Sequence, residues 1–226
     1  MKNTYHLITI LFLTFVSSTL FSQNQKASIQ VKVTDFKGIN LKGEQILFVD
    51  QKTTRTIKGI SNSNGNFSVK LPAGFYLIKM KSVGAVKDYS SIEIPKILEG
   101  QSYSDMSMQI QISVPKYFTL NNIHFASNQS LLLKSSYAQL KDLVEYLSLK
   151  PNLKIEIQGH TDSDGTEEDN MELSKKRAGS IKRYLISKGI KKERLKTVGY
   201  GESRPVASNS TTKGKQKNRR TEIRVL

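Results

Sequence analysis

The chain has 226 residues, 35 of them Lys or Arg against 19 Asp or Glu, for a formal net charge of +16. Hydrophobic residues make up 37%. That suffices for two small cores, and it excludes both a multi-span membrane protein and a low-complexity disordered chain. Cys is 0, which excludes disulfides, thiolate metal sites, a Cys nucleophile and a lipid-bearing N-terminal Cys; His is 3, which argues against a multi-His metal site.

Residues 1–22 read as a signal peptide. Lys2 gives a positive start, and Leu7 to Val16 is an apolar run with Thr. The run falls short of the roughly 20 residues a membrane-spanning helix needs. Ser17, Ser18, Thr19 and Ser22 follow, which places cleavage near Ser22–Gln23. The mature protein is then exported with no transmembrane span; the alternative reading of the segment is an uncleaved anchor.

Residues 23–114 read as all-β. Ile29, Val31 and Val33 alternate with polar residues, and Asp35–Phe36–Lys37–Gly38 is a turn. Ile46 to Val49 is a second strand. The cluster Ser61–Asn62–Ser63–Asn64–Gly65–Asn66 is a turn, with Phe67, Val69 and Leu71 alternating after it. Pro72–Ala73–Gly74 is another turn, followed by Tyr76, Ile78 and Met80. Short strands at this spacing suggest a small sandwich. A lipid-facing barrel is excluded, because the non-core faces carry Lys32, Lys70, Lys79 and Lys81 and the segment is too short for eight spanning strands. The stretches Asn64–Gly65–Asn66–Phe67 and Leu71–Pro72–Ala73–Gly74–Phe75–Tyr76 resemble the carboxypeptidase-regulatory-like domain. That resemblance implies a transthyretin-like β-sandwich.

From Pro115 the pattern alternates between strand and helix. Ile123 and Phe125 mark a short strand. Leu140, Leu143, Val144 and Leu147 recur at i, i+3, i+4 and i+7, which predicts an amphipathic helix over Ser136 to Leu149. Ser135 or Ser136 is the expected N-cap, and Pro151 the stop. A strand follows over Lys154 to Gln158, then a polar loop from Gly159 to Asp169. A second helix over Asn170 to Lys188 carries Ser174, Ala178, Ile181 and Leu185 on one face, and Gly189 is its C′ residue. Leu195, Thr197 and Gly199 lead a third strand, and Arg220 to Leu226 is the last. The fold class is α+β: a small sandwich, then a β-α-β-α-β-β domain over 115–226 with helices on one face of a mixed sheet.

This second half resembles the OmpA-like peptidoglycan-binding family, over residues 117–226. The matching pieces are Gly159–His160–Thr161–Asp162, Gly165, Asn170, Leu173–Ser174, Arg177–Ala178 and Tyr184–Leu185. They continue as Gly189–Ile190, Gly199–Tyr200–Gly201–Glu202, Pro205 and Asn218–Arg219–Arg220. The resemblance implies a non-enzymatic protein that binds the zwitterionic end of diaminopimelate in the peptidoglycan stem peptide. Asp162 would accept from the ammonium, and Arg177 would hold the carboxylate through two parallel N–H bonds. Asn170, Thr161 and loop backbone N–H groups would complete the pocket. The family's Asp after the first strand's Phe is missing, since Ala126–Ser127–Asn128 follows Phe125. Arg219–Arg220 either brace the sheet end or bind ligand.

Two charged hydrogen bonds at roughly 1.5–3 kcal/mol each, less association costs, make a single site weak, on the order of micromolar to millimolar. A polymer presenting many copies compensates. The expected place is the periplasm, at the outer membrane and wall, with no cofactor and with an envelope protein as partner of the sandwich.

Other readings fare less well. His160, Asp162 and Ser174 lack a nucleophile-elbow motif. Asp162–Ser163–Asp164–Gly165 hints at calcium, but the sixth and twelfth positions of that template are Glu167 and Leu173 rather than Gly and Glu. The basic runs Lys175–Lys176–Arg177, Lys191–Lys192 and Lys213 to Arg220 raise nucleic acid as a ligand, against which stand export and the absence of any finger or RNP-type motif. A further alternative puts the main function in the sandwich, as an adhesion or assembly module.

Overall fold

Chain contacts divide the protein into two units, Met1–Val114 and Pro115–Leu226. The computed structural model describes residues 7–8, 25–98, 101–120, 123–126 and 129–226. The expected export segment lies outside the described residues except for Leu7–Ile8 (β1), which pairs antiparallel with Ile110 and Gln109. Ser127 and Asn128 also lie outside them.

The first unit is built from alternation. β2 (Ala27–Thr34) buries Ala27, Ile29, Val31 and Val33 and exposes the residues between, as its period of two requires. β3 (Gln45–Asp50), β5 (Asn66–Leu71) and β6 (Gly74–Ser82) fall where the sequence places strands. Three strands went unread there: β4 (Thr56–Ile60), β7 (Ala85–Ile94) and β8 (Met106–Gln111). One sheet runs β1-β8-β2-β5 and the other β4-β3-β6-β7. β2 pairs antiparallel with β5 but parallel with β8, so the chain passes through the other sheet between them. Apolar residues of both sheets form one cluster, with Ile29, Ile46, Phe48, Leu71, Tyr76, Ile78, Ile94 and Ile110 almost wholly buried. The turns are tied by side chains. Asp35 Oδ1 accepts the N–H groups of Lys37 and Ile39, each at 2.8 Å. Asn62 Oδ1 accepts those of Asn64 and Asn66 at 2.9 and 3.0 Å.

In the second unit the order is β9 (Tyr117–Leu120), α1 (Tyr137–Leu149), β10 (Ile155–Gly159), α2 (Glu167–Ser187), β11 (Leu195–Gly199), α3 (Thr212–Asn218) and β12 (Thr221–Val225). The sheet runs β11-β10-β12-β9; β10 and β11 are parallel and the other pairs antiparallel. Leu140, Leu143 and Leu147 of α1 and Ser174, Ala178, Ile181 and Leu185 of α2 are buried, as their spacing predicts. Gly189 closes α2 with φ +88, its N–H reaching Ile186 O while Ile190 N–H reaches Leu185 O. That pair of bonds is the Schellman arrangement, which favours Gly at the left-handed position.

Several local expectations are corrected. The first strand is Tyr117–Leu120, because β12 pairs with those residues. Phe125 makes only an isolated bridge to Leu132. Ser136 stands before α1 but makes no cap bond; its hydroxyl binds the backbone of His124 instead. Arg194 covers the other end of α1, donating to the carbonyls of Leu147 and Lys150. α2 begins at Glu167, three residues before Asn170, because Thr166 caps it: the Thr166 hydroxyl accepts Asp169 N–H at 3.1 Å and donates to Asp169 Oδ2 at 2.9 Å. The stretch between β11 and β12, read as a loop, contains α3 with Thr211 as its cap.

Candidate functional site

Three strand ends meet beside the N-terminal half of α2. His160 N–H donates to Arg220 O at 3.0 Å and Thr161 N–H to Gly201 O at 2.9 Å, while Tyr200 N–H donates to Gly159 O at 3.0 Å. The segment following β10 is thus held between the chain leaving β11 and the chain entering β12. α2 lies close against it: Ser174 Oγ accepts Gly201 N–H at 3.0 Å. These ties are backbone or buried bonds, so the segment carrying Thr161 and Asp162 is fixed rather than pendant.

The four residues singled out from the sequence, Thr161, Asp162, Asn170 and Arg177, line one cleft of about 500 Å³. Its other walls include Phe125, His160, Asp164, Leu173, Arg219 and Arg220. The Asp162 side chain is 8% exposed and accepts from Arg219 Nη1 at its Oδ2. Its Oδ1 has a long contact, 3.3 Å, from Asp164 N–H. Asp164 in turn pairs with Lys215 at 2.6 Å.

Arg177 lies nearly three turns into α2. Its Nε donates to Gln129 O at 3.1 Å, and its guanidinium carbon sits 5.1 Å from the centre of the Phe125 ring. Among the described residues its two Nη groups form no hydrogen bond. Burial pulls the Arg177 pKa down from its usual value; the Asp162 charge opposes this and Arg219 reinforces it. Arg177, Asp162 and Arg219 therefore feel one another across the cleft.

Asn170 is buried, and its Nδ2 donates to Glu202 Oε2 at 2.5 Å. Thr161 is buried with its hydroxyl unpartnered among the described residues. His160, expected to pack or hydrogen-bond locally, packs: it stacks on Tyr200 at 5.4 Å, with its Nε2 3.8 Å from Glu222 Oε2, and neither ring nitrogen has a hydrogen-bond partner among the described residues. Arg204 covers the Tyr200 ring at 3.7 Å.

The alternative left open for Arg219 and Arg220 divides between them. Arg220 braces the sheet end, donating to Glu222, Asn218 O and Arg204 O. Arg219 faces the cleft and holds Asp162. Gln129, Phe125 and Glu202 were not read as contributors. Glu202 stands within the matching piece Gly199–Tyr200–Gly201–Glu202, and Phe125 was read only as a strand residue; Gln129 contributes through its backbone carbonyl, which leaves no residue-type signature.

Residues 124–219 match the model of the OmpA family. The peptidoglycan-associated lipoprotein of Buchnera aphidicola subsp. Baizongia pistaciae is 46% identical over 104 residues, 46% of this chain and 60% of the relative. Outer membrane porin F of Pseudomonas fluorescens is 39% identical over 104 residues, 46% of this chain and 32% of the relative. The crystal structure of the peptidoglycan-associated lipoprotein from Burkholderia pseudomallei aligns at a TM-score of 0.44 and 30% identity, covering 46% of this chain and 88% of that one. The chain thus spans between 32% and 60% of the length of these two curated relatives. What is shared is a domain: residues 124–219 are similar to the OmpA family.

Proposed function

We propose that Pro115–Leu226 binds peptidoglycan non-covalently through the diaminopimelate of the stem peptide and so tethers an envelope protein or assembly to the cell wall. The observation that carries this reading is the pair Asp162 and Arg177, opposite charges on one cleft. A ligand presenting an ammonium and a carboxylate on one carbon matches both. The Nη edge of Arg177, free among the described residues, suits a carboxylate gripped by two N–H groups, and Asp162 Oδ1 suits an ammonium. Thr161 and Asn170 supply polar walls. Similarity to the peptidoglycan-associated lipoprotein of Buchnera aphidicola and to the peptidoglycan-binding protein ArfA of Mycobacterium bovis supports peptidoglycan as the polymer bound. Residues 115–226 hold 22 Lys or Arg against 12 Asp or Glu, a net of +10, which adds attraction to anionic wall polymers.

In this reading the protein is not an enzyme. It is exported to the periplasm and acts at the outer membrane and wall. Among the described residues no helix is long and apolar enough to cross a membrane. The first unit is a transthyretin-like, carboxypeptidase-regulatory-like sandwich that engages an envelope protein partner, and the second is its anchor. Two sheets sharing one apolar cluster support the sandwich assignment.

Co-sedimentation with purified sacculi tests the anchor. Wild type is expected to pellet and to be released by free diaminopimelate. Asp162→Ala is expected to lose binding. Arg177→Lys is expected to weaken it about tenfold, the size of one charged hydrogen bond. Equal pelleting of all three proteins would overturn the reading. Removal of residues 23–114 is expected to spare sacculus binding while abolishing capture of a protein partner.

A further inference from the structure

The cleft contains two guanidinium groups, and they are not equivalent. Among the described residues Arg177 is held only through Nε, by Gln129 O at 3.1 Å. Arg219 is already bound to Asp162 Oδ2 in the free protein. Asp162 is nearly buried, with its side chain 8% exposed, whereas that of Arg219 is 43% exposed. A buried carboxylate with no cation beside it is costly, and it turns toward whatever donor it can reach. With Arg219 in place, Oδ2 is committed, and Oδ1, whose one contact among the described residues is the long one from Asp164 N–H at 3.3 Å, is left to accept.

We infer that Arg219 is a positioning residue: it clamps Asp162 by one oxygen so that the other is aimed at a ligand ammonium, and it leaves Arg177 alone to take the ligand carboxylate. This rests on the ligand class proposed above. Arg219 also repels an ammonium. That repulsion acts across a half-exposed, solvent-screened guanidinium, while Asp162 Oδ1 meets the ammonium in direct contact, so the attraction prevails. The same logic divides the labour of recognition. The Arg219–Asp162 pair reads the ammonium, and the Arg177 Nη edge reads the carboxylate. Arg220 has no part in this, being spent on Glu222, Asn218 O and Arg204 O.

The test uses the full chain and two synthetic stem tripeptides. One ends in meso-diaminopimelate. The other carries 2-aminopimelate at the same position, which keeps the free-end carboxylate but lacks its ammonium. The measured quantity is the ratio of the two affinities. Wild type is expected to prefer the first peptide by about tenfold, one charge-assisted hydrogen bond. Arg219→Gln is expected to bring that ratio close to one, because affinity for the diaminopimelate peptide falls further than affinity for the ammonium-free one. Arg219→Lys, which keeps the charge but not the planar fork, is expected to restore part of the ratio. In an Asp162→Asn background, Arg219→Gln is expected to change nothing further. Arg177→Gln is expected to weaken both peptides equally and keep the ratio.

A ratio unchanged in Arg219→Gln, with both affinities lowered together or neither lowered, would overturn the inference and leave the ligand class standing. A wild type that binds the two peptides equally would instead remove the ammonium site itself, and the positioning role with it. Thermal melting of each variant separates misfolding from loss of recognition; should Arg219→Gln fail to fold, the Arg219→Lys ratio decides, an unchanged value counting against the inference.

Discussion

Gly159 at the end of β10 lies so close to Ser174 on α2 that a Cβ placed on it would meet the Ser174 carbonyl oxygen at 2.3 Å. Helix and strand therefore touch backbone to backbone beneath the cleft. Gly159→Ala forces them apart, and overpacking of this kind costs about 1–3 kcal/mol. The expected outcome is a lower urea midpoint together with weaker sacculus binding, since Asp162 follows directly on β10 and Arg177 sits on α2, the two elements that separate.

Asn218 is wholly buried and ties the chain after β11 to the start of β12. Its Oδ1 accepts Val206 N–H at 2.8 Å and Ala207 N–H at 3.0 Å, and its Nδ2 donates to Ala207 O at 2.8 Å and Asn209 Oδ1 at 2.7 Å. Asn218→Ala leaves buried backbone groups unpaired, at about 1–3 kcal/mol. Chemical denaturation of the variant measures this directly. Asn218→Asp, which would set a buried carboxylate oxygen against the Ala207 and Asn209 oxygens, is expected to lose at least as much.

His160 gives the fold an acid limit. Burial, reinforced by the neighbouring Arg220 and Arg204 guanidinium groups and opposed by Glu222, pushes its pKa down from 6.5 to about 4. Between those two values the unfolded chain takes up a proton that the folded chain refuses. The stability contributed by neutral His160 is therefore complete above pH 6.5 and is lost progressively as pH falls toward 4, by about 3 kcal/mol in all. Denaturation midpoints across this window are expected to fall less steeply in His160→Gln than in wild type. Parallel curves for the two proteins would show that the ring titrates normally in the fold.

Thr166 sets the start of α2 through its exchange of bonds with Asp169. Thr166→Ala is expected to cost about 1 kcal/mol and Thr166→Ser much less. Hydrogen exchange is the sharper probe: the N–H of Asp169 loses its partner, so its protection is expected to drop while that of Ile181 on the same helix is kept.

Much of the fold is legible along the chain. The alternation of β2, β3, β5 and β6, the apolar stripe of α1, the buried face of α2 and the stop at Gly189 all follow from local periodicity and turn chemistry. Errors fall where the local signal is poor or misleading. Ile123 and Phe125 alternate like a strand, yet β12 already pairs with Tyr117–Leu120 and has no edge left for them. α3, with Lys213, Gly214, Lys215 and Lys217 in seven residues, has no apolar stripe to betray it. Glu156 and Gln158 are polar yet buried in β10, where Lys196 and Gln158 satisfy the Glu156 carboxylate.

What the sequence alone determined is which faces are apolar, where turns fall, and that an acid and a guanidinium stand fifteen residues apart in a recognisable motif. The fold alone decided which neighbours those groups meet. Asp162 and Arg219 are 57 residues apart and become partners only because β10 and β12 lie side by side, with His160 bound to Arg220 O. Periods of two and 3.6 report burial of one side of an element; they carry no information about which element lies next to it. Strand order supplies that, and with it the division of the two arginines between bracing the sheet and serving the cleft.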